Sequence, residues 1–172
     1  INKKKKLSNF IELKKLFYNI VKNVKKNSLI LIQTTLPPGS CDYIIIPTLK
    51  KILEQRKMKL SDIYLSYSYE RVTPGKEYMN SITDNYRCYS GIDKSSLLVC
   101  KKFLQNFINY KKFPLFQFSK IIDCEVAKIL ENSYRAINIA FIDEWTKFSS
   151  LHSINLNRII NAIKKRKTHN NI

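Results

Sequence analysis

The sequence predicts an α/β fold in which a parallel sheet is followed by an all-α segment built on one long helix. Up to about residue 120, amphipathic helical patterns alternate with short apolar runs, which is typical of parallel sheets covered by helices. After Asp123 a single apolar stripe with helical spacing replaces that alternation. The hydrophobic content of 44% over 172 residues is sufficient for a buried core.

The first helix and the first strand are predicted within residues 8–32. Over 8–26, apolar side chains recur at spacings of three and four with lysines on the other side, and they are Phe10, Leu13, Phe17, Ile20 and Val24. The apolar run 29–32 predicts a central strand buried on both faces. Thr34 and Thr35 follow this strand, and the chain then turns at the Pro-Pro-Gly-Ser segment 37–40.

A second helix and a second strand follow this turn. Ser40 is predicted to cap the helix, and Pro47 is predicted to kink or restart it. The second strand is predicted at 63–67 and leads into Glu70. Because ligands bind beyond the carboxyl ends of parallel strands, Thr35 and Glu70 are candidate site residues.

The remaining elements lead from the sheet into the helical segment. A loop is predicted at 73–91, a helix at 94–107 and a last strand at 113–118, and a short helix at 157–165 closes the chain. The long helix carries a stripe spaced 4, 4, 3, 4, 4 and 3, formed by Val126, Leu130, Tyr134, Ile137, Phe141, Trp145 and Phe148. The predicted domains are 1–120, an α/β sheet domain, and 121–172, an α-helical domain.

The formal net charge of +18 suits either a polyanion partner or a compositional bias. Lysine outnumbers arginine 25 to 6, and Lys, Ile and Asn are the residues that AT-rich codons favour. Arginine, which is suited to phosphate forks and base edges, is scarce. We therefore expect no specific nucleic-acid partner. No uncharged apolar run is long enough to cross a bilayer, so no membrane insertion is expected either.

The four cysteines indicate neither a metal site nor a disulfide framework. They contain no CxxC motif and no partnered histidine, so we expect no zinc and no other metal. They are far apart, and no signal h-region follows the first lysines, so reduced thiols in a cytoplasmic protein are expected. The three glycines, Gly39, Gly75 and Gly91, mark either ordinary turns or positions that need positive φ or close approach.

One face of the long helix is polar. Glu125, Lys128, Asn132 and Arg135 are spaced 3, 4 and 3, and Lys128 lies about 200° around the helix from Leu130 in the stripe. Such a face is either simply solvated or a cationic and amide cluster directed at an anionic or developing oxyanion centre. The spacing alone leaves both interpretations open.

Three segments, in the same order as in a known family, resemble its motifs. They are Gln-Thr-Thr-Leu-Pro-Pro-Gly-Ser at 33–40, Tyr-Glu-Arg-Val-Thr-Pro-Gly-Lys at 69–76 and the helix at 125–140 that begins Glu-Val-Ala-Lys. Together they are similar to the UDP-glucose/GDP-mannose dehydrogenase family, in particular to its UDP-N-acetylmannosamine and UDP-N-acetylglucosamine dehydrogenase branch. The resemblance implies the C-terminal half of a Rossmann-like, dinucleotide-binding sheet over 1–120 and a truncated central dimerisation domain over 121–172.

The resemblance also implies a chemistry. The family oxidises the C6 alcohol of a nucleotide sugar to a carboxylate with two NAD molecules, through a thioester on a cysteine, for polysaccharide biosynthesis. It places Thr34 and Thr35 at the cofactor, with Thr35 beside the nicotinamide and the catalytic water. It assigns acid/base work to Glu70. Oxyanion stabilisation falls to Lys128 and Asn132, and the residues implied to bind the substrate are Glu70, Arg71, Val72, Lys128, Asn132 and Arg135.

Other family features are missing from the 172 residues. There is no Gly-x-Gly-x-x-Gly motif for the pyrophosphate, and none of the four cysteines lies in the family's glycine-rich nucleophile loop. Tyr69 stands where the motif usually has proline. The sequence is therefore interpreted as an internal fragment in which NAD binding is incomplete and which is inactive alone. The alternative is a basic helical binding or scaffold module without catalytic heritage.

The stripe on the long helix also predicts association. It places four aromatic side chains on one helix face, a large apolar area for a chain of this length. The resemblance implies that this helix is a dimer core. We therefore expect a homodimer through the helix at 123–150.

Overall fold

The computed structural model describes residues 10–166, and its internal contacts divide the chain into two compact units between Ile129 and Leu130. The helices are α1 (Ile11–Asn23), α2 (Ile46–Gln55), α3 (Tyr78–Thr83), α4 (Lys94–Gln105), α5 (Ile121–Leu151) and α6 (Leu156–Ile163). The strands are β1 (Leu29–Ile32), β2 (Tyr64–Tyr67), β3 (Cys88–Gly91) and β4 (Phe116–Gln117). A π-helical turn, Cys41–Ile45, precedes α2 directly. The predicted domain limits, 1–120 and 121–172, stay a prediction.

The first unit contains a four-stranded, mostly parallel sheet in the order β1-β2-β3-β4. The pairs β1–β2 and β3–β4 are parallel, and β2–β3 is antiparallel. The predicted α/β class with one long C-terminal helix is confirmed. β1 lies at the end of the strand order and alternates between half-buried and buried side chains, so the prediction of a central strand buried on both faces was wrong.

The predicted loop at 73–91 was also wrong, because this segment contains α3 and β3. β3 is only four residues long, and its sequence, Cys-Tyr-Ser-Gly, has no run of strand-forming residues. It pairs with β2 on one side and β4 on the other, and this pairing stabilises it as a strand. Such tertiary pairing leaves no local pattern in the sequence.

The core of the first unit consists of two clusters. The larger one joins α1, the π-turn, α2, β1, β2 and the first turn of α5, from Phe17 to Cys124. The smaller one lies under α4 and contains Tyr89, Cys100, Leu104 and Ile108. Both clusters contain residues of the sheet, and the first turn of α5 contributes Ile121 and Cys124 to the larger one.

The second unit consists of the rest of α5 together with α6. Its stripe residues are exposed, with Tyr134 64% and Trp145 46% exposed. Phe141, Trp145 and Phe148 form a row of edge-to-face ring contacts. These rings line one side of a mostly apolar groove of about 710 Å³, and α6 lines the other. None of the helices within residues 10–166 combines the length and apolar character that a bilayer crossing requires.

Candidate active site

Thr35 and Glu70 lie beyond the same edge of the sheet. Ile32 in β1 is aligned with Tyr67 in the parallel β2, and each candidate comes three residues after this aligned pair. Thr34 and Thr35 are exposed, whereas Glu70 is half-buried. The hydroxyl of Tyr67 donates a hydrogen bond to the Thr34 carbonyl at 2.8 Å, which ties the segment after β1 to β2.

The turn after β1 depends on Gly39. This residue has φ +84°, in the left-handed region, and an added Cβ would lie 3.0 Å from the Tyr43 ring. Gly75 also has positive φ, and a Cβ at Gly91 would lie 2.9 Å from the Leu97 nitrogen. Each glycine thus has a conformation or an approach that a side chain opposes.

The predicted Ser40 cap was wrong. Ser40 itself has helical φ and ψ angles, and its hydroxyl donates to the Pro37 carbonyl at 2.5 Å rather than accepting from the helix. The helical conformation therefore starts earlier than the sequence indicates. α2 begins at Ile46 after the π-turn, and Pro47 lies in its first turn, where a missing N–H is tolerated.

Glu125, and not Ser40, accepts hydrogen bonds from backbone N–H groups at the start of this helical turn. Its side chain is fully buried, and its two carboxylate oxygens accept from the backbone N–H of Gly39 at 2.5 Å and of Cys41 at 2.8 Å. A carboxylate at the N-terminal end of a helix satisfies N–H groups that have no partner within the helix. The first turns of α5 are thereby bonded to the turn after β1.

Sequence reasoning placed Glu125 on the polar face of α5 but did not assign it to the site. The only local signal is its register with Lys128 on that face. Its partners are 86 and 84 residues away in the chain, so no local pattern predicts the contact.

The buried cysteines remain protonated at neutral pH. Burial, followed by the hydrogen bond and the charge of Glu125, raises the pKa of the Cys41 thiol well above its usual value. Burial likewise raises the pKa of Cys124, and it raises the pKa of Cys100 to about 11. Since the thiolate is the reactive form, these three thiols are unsuited to nucleophilic catalysis.

Lys128 meets the segment that follows β2. Its Nζ donates to the Glu70 carbonyl at 2.9 Å and lies 5.3 Å from the centre of the Tyr69 ring. Arg71 donates to the Tyr86 carbonyl at 2.6 Å and to the Tyr69 hydroxyl at 3.2 Å. The segment Tyr69–Arg71 and the first part of α5 therefore bring two cations to one aromatic ring, that of Tyr69.

Arg87 is a buried cation that sequence reasoning missed. It is 2% exposed, its Nη1 donates to the Tyr69 carbonyl at 2.9 Å, and its Nε has no hydrogen-bond partner. Burial lowers the pKa of this guanidinium, and the nearby carboxylate of Glu70 opposes that shift. The residue lies in the segment interpreted as a loop, where nothing local distinguishes it from a solvated arginine.

The predicted site residues are distributed over both units. Glu70, Arg71 and Lys128 come together in the first unit, and half-buried Val72 follows Arg71 directly. Asn132 and Arg135 continue the same helix in the second unit, half-buried and exposed respectively. Within residues 10–166 no group of three or more His, Cys, Asp or Glu side chains is arranged to hold a metal ion.

Known proteins are similar to this chain in sequence and in fold. Residues 123–171 match the central domain of the UDP-glucose/GDP-mannose dehydrogenase family. The UDP-N-acetyl-D-mannosamine dehydrogenase of Methanocaldococcus jannaschii is 29% identical over 153 residues, which are 89% of this chain and 33% of that protein. The enzyme of the same name from Methanococcus maripaludis strain C7 is 31% identical over 150 residues, 87% of this chain and 31% of that protein. The chain thus spans about a third of the length of these relatives.

Solved structures agree with the sequence comparison. The native UDP-N-acetyl-mannosamine dehydrogenase Cap5O from Staphylococcus aureus superposes with a TM-score of 0.74 at 25% identity, over 92% of this chain and 36% of that one. A GDP-mannose dehydrogenase from Pseudomonas aeruginosa superposes with a TM-score of 0.77 at 12% identity, over 96% of this chain and 37% of that one. The second likeness shows the fold alone.

Proposed function

The chain belongs to the UDP-glucose/GDP-mannose dehydrogenase family, and we propose that it supplies part of the active site of an NAD-dependent UDP-sugar dehydrogenase. The reaction is the oxidation of the C6 alcohol of a UDP-(N-acetyl)hexosamine to the uronate, a precursor for polysaccharide synthesis. The observation that carries the proposal is the contact of Lys128 with Glu70, because it joins two of the family-like motifs at one edge of the sheet.

Each side chain at this edge has a role that its chemistry supports. The Glu70 carboxylate does general acid/base work at oxygen, taking the proton of the water that hydrolyses the thioester. The Lys128 ammonium, held near Glu70, stabilises negative charge that develops on the C6 oxygen, and Asn132 donates a further hydrogen bond to it. Arg71, Val72 and Arg135 contact the nucleotide sugar.

The cofactor that the proposal requires is NAD, and two molecules are needed, each taking one hydride, because the alcohol is oxidised to a carboxylate. The exposed hydroxyls of Thr34 and Thr35, beyond the carboxyl end of β1, suit contacts at its reacting end. The pyrophosphate requires a glycine-rich loop, and the three glycines of residues 1–172 form no such motif. The proposal therefore gives this chain contacts to the nicotinamide side only.

Ligand binding to the 172-residue chain tests the proposal. Isothermal titration with UDP-N-acetylmannosamine is expected to give measurable binding that the Lys128→Met variant weakens about tenfold or more, since one charge-assisted contact is lost. Lys101→Met, which removes an exposed lysine on α4, is the matched control and is expected to bind like the wild type. Equal binding by both variants, or none by the wild type, would contradict the proposal.

A further inference from the structure

Tyr69 lies at the centre of the contacts that surround Glu70. It is 2% exposed, and its ring centre lies 5.3 Å from the Arg71 guanidinium carbon and 5.3 Å from the Lys128 ammonium nitrogen. At such distances a cation is attracted to the electron-rich face of an aromatic ring, and the attraction is stronger where water is excluded. One buried ring therefore contacts both cations.

The polar atoms of Tyr69 are fixed as well. Its hydroxyl accepts from Arg71 Nη2 at 3.2 Å and donates to Cys88 Sγ at 3.5 Å. Its carbonyl accepts from the buried Arg87 at 2.9 Å. The hydroxyl at the tip of the side chain and the backbone carbonyl at its base are thus both hydrogen-bonded.

The Tyr69 ring lowers the repulsion between the two cations that it contacts. Two cations brought together for one anionic ligand repel each other, and the repulsion grows as water is excluded. The quadrupole of the ring offsets part of that repulsion while no ligand is bound. Proline, which the family-like motif usually has at this position, has neither an aromatic face nor a hydroxyl.

We propose that Tyr69 is a positioning residue that fixes the Arg71 guanidinium and the Lys128 ammonium relative to each other, ready for an anionic nucleotide sugar. The identity of the ligand rests on the function proposed above. The positioning of the two cations by the ring does not.

Two substitutions distinguish the effect of the aromatic face from the effect of apolar side-chain volume. Tyr69→Phe keeps the aromatic face and removes the hydroxyl, whereas Tyr69→Leu keeps an apolar side chain in the core and removes the face. Tyr89→Leu is the matched control, because Tyr89 is also 2% exposed and packs in the other core cluster, where its hydroxyl bonds Gln117 at 3.0 Å. Both leucine variants are expected to lower the melting temperature by similar amounts.

The first measurement needs no ligand. In protein with ¹³C-labelled lysine, the ε-methylene protons of Lys128, assigned with Lys128→Met, are expected to carry an upfield ring-current shift. The shift is expected to persist in Tyr69→Phe and Tyr89→Leu and to disappear in Tyr69→Leu. A Lys128 signal that is the same in Tyr69→Leu and wild type, or that Tyr89→Leu moves equally, would overturn the inference.

The second measurement is the affinity for UDP-N-acetylmannosamine. Tyr69→Phe is expected to stay within about threefold of the wild type, and Tyr69→Leu to bind about tenfold more weakly, as two cation–π contacts are lost. Wild-type binding that Tyr69→Leu leaves unchanged would overturn the inference. If the wild type binds nothing, the proposed function fails, and the lysine spectra still decide the positioning role.

Discussion

At the residue scale, Glu125 is the side chain whose loss has the clearest consequence. Replacing Glu125 by alanine leaves the N–H groups of Gly39 and Cys41 buried without acceptors. We expect the free energy of unfolding to fall by about 3–6 kcal/mol, since each of the two hydrogen bonds to this charged group contributes about 1.5–3 kcal/mol. Urea denaturation measures the change. Glu54→Ala, which removes an exposed carboxylate from α2, is expected to cost under about 0.5 kcal/mol, and equal losses in both variants would contradict this role.

The Cys100 thiol is expected to make the free energy of unfolding fall as the pH rises in the alkaline range. Burial raises its pKa from 9.0 to about 11, so in the window between these values the unfolded thiol ionises while the folded thiol stays protonated. Its contribution is fully present below pH 9 and is lost as the pH rises to about 11, by about 2–3 kcal/mol. Denaturation midpoints across this window measure the slope.

The matched comparison for Cys100 is with a second truncation on α4, at the half-buried Val99. Cys100→Ala and Val99→Ala both remove side-chain volume from α4, but only the first removes a titrating group. We expect a shallower fall in stability between pH 9 and pH 11 in Cys100→Ala and an unchanged slope in Val99→Ala. Parallel curves for the two variants would argue against the thiol.

At the element scale, the strands and helices that carry a periodic or continuous apolar pattern were predicted from the sequence. The apolar runs located β1 and β2, and the stripe located α5, because burial of one helix face or one strand leaves a periodic signature. β3 was missed because strand pairing alone stabilises it. Pro47 marked a discontinuity, but the helical turn before it depends on Glu125 from α5 rather than on Ser40.

The residues of the candidate site also divide into those that have a signal in the sequence and those whose partners are distant in the chain. Thr35 and Glu70 were predicted from their position after two strands. Lys128 was predicted from the resemblance of its helix to a family motif, because the polar face alone left its role open. Glu125 and Arg87 were missed because their partners are far away in the chain, at 86 and 18 residues. Helix and strand periodicity reports which face is buried, but not which distant backbone atoms a buried charge bonds.

At the scale of the whole molecule, the net charge of +18 makes a prediction about polyanions. If the charge reflects composition, duplex DNA is expected to bind weakly, without sequence preference, and to lose affinity at least about tenfold between 50 and 200 mM salt. Fluorescence anisotropy with two unrelated duplexes measures both properties. A sequence-selective complex that persists at 200 mM salt would favour the binding-module alternative instead.

The exposed stripe makes the last prediction, which concerns association. Within residues 10–166 the Phe141, Trp145 and Phe148 rings are about half exposed, and they line an apolar groove of about 710 Å³. Burying the exposed half of each ring is favourable by about 1 kcal/mol, and a two-fold axis applies every such gain twice. We therefore expect a homodimer at tens of micromolar, measured by sedimentation equilibrium.

A charged residue in the middle of the stripe is expected to oppose this dimer. Trp145→Lys removes the ring that contacts both Phe141 and Phe148 and introduces a cation that must be desolvated twice in a symmetric interface. The dissociation constant is expected to rise more than about tenfold. Tyr43→Lys, at a 78% exposed aromatic outside the stripe, is the matched control and is expected to dimerise like the wild type. A wild type that sediments as a monomer, or a Tyr43→Lys variant that dissociates as readily as Trp145→Lys, would assign the stripe no part in the assembly.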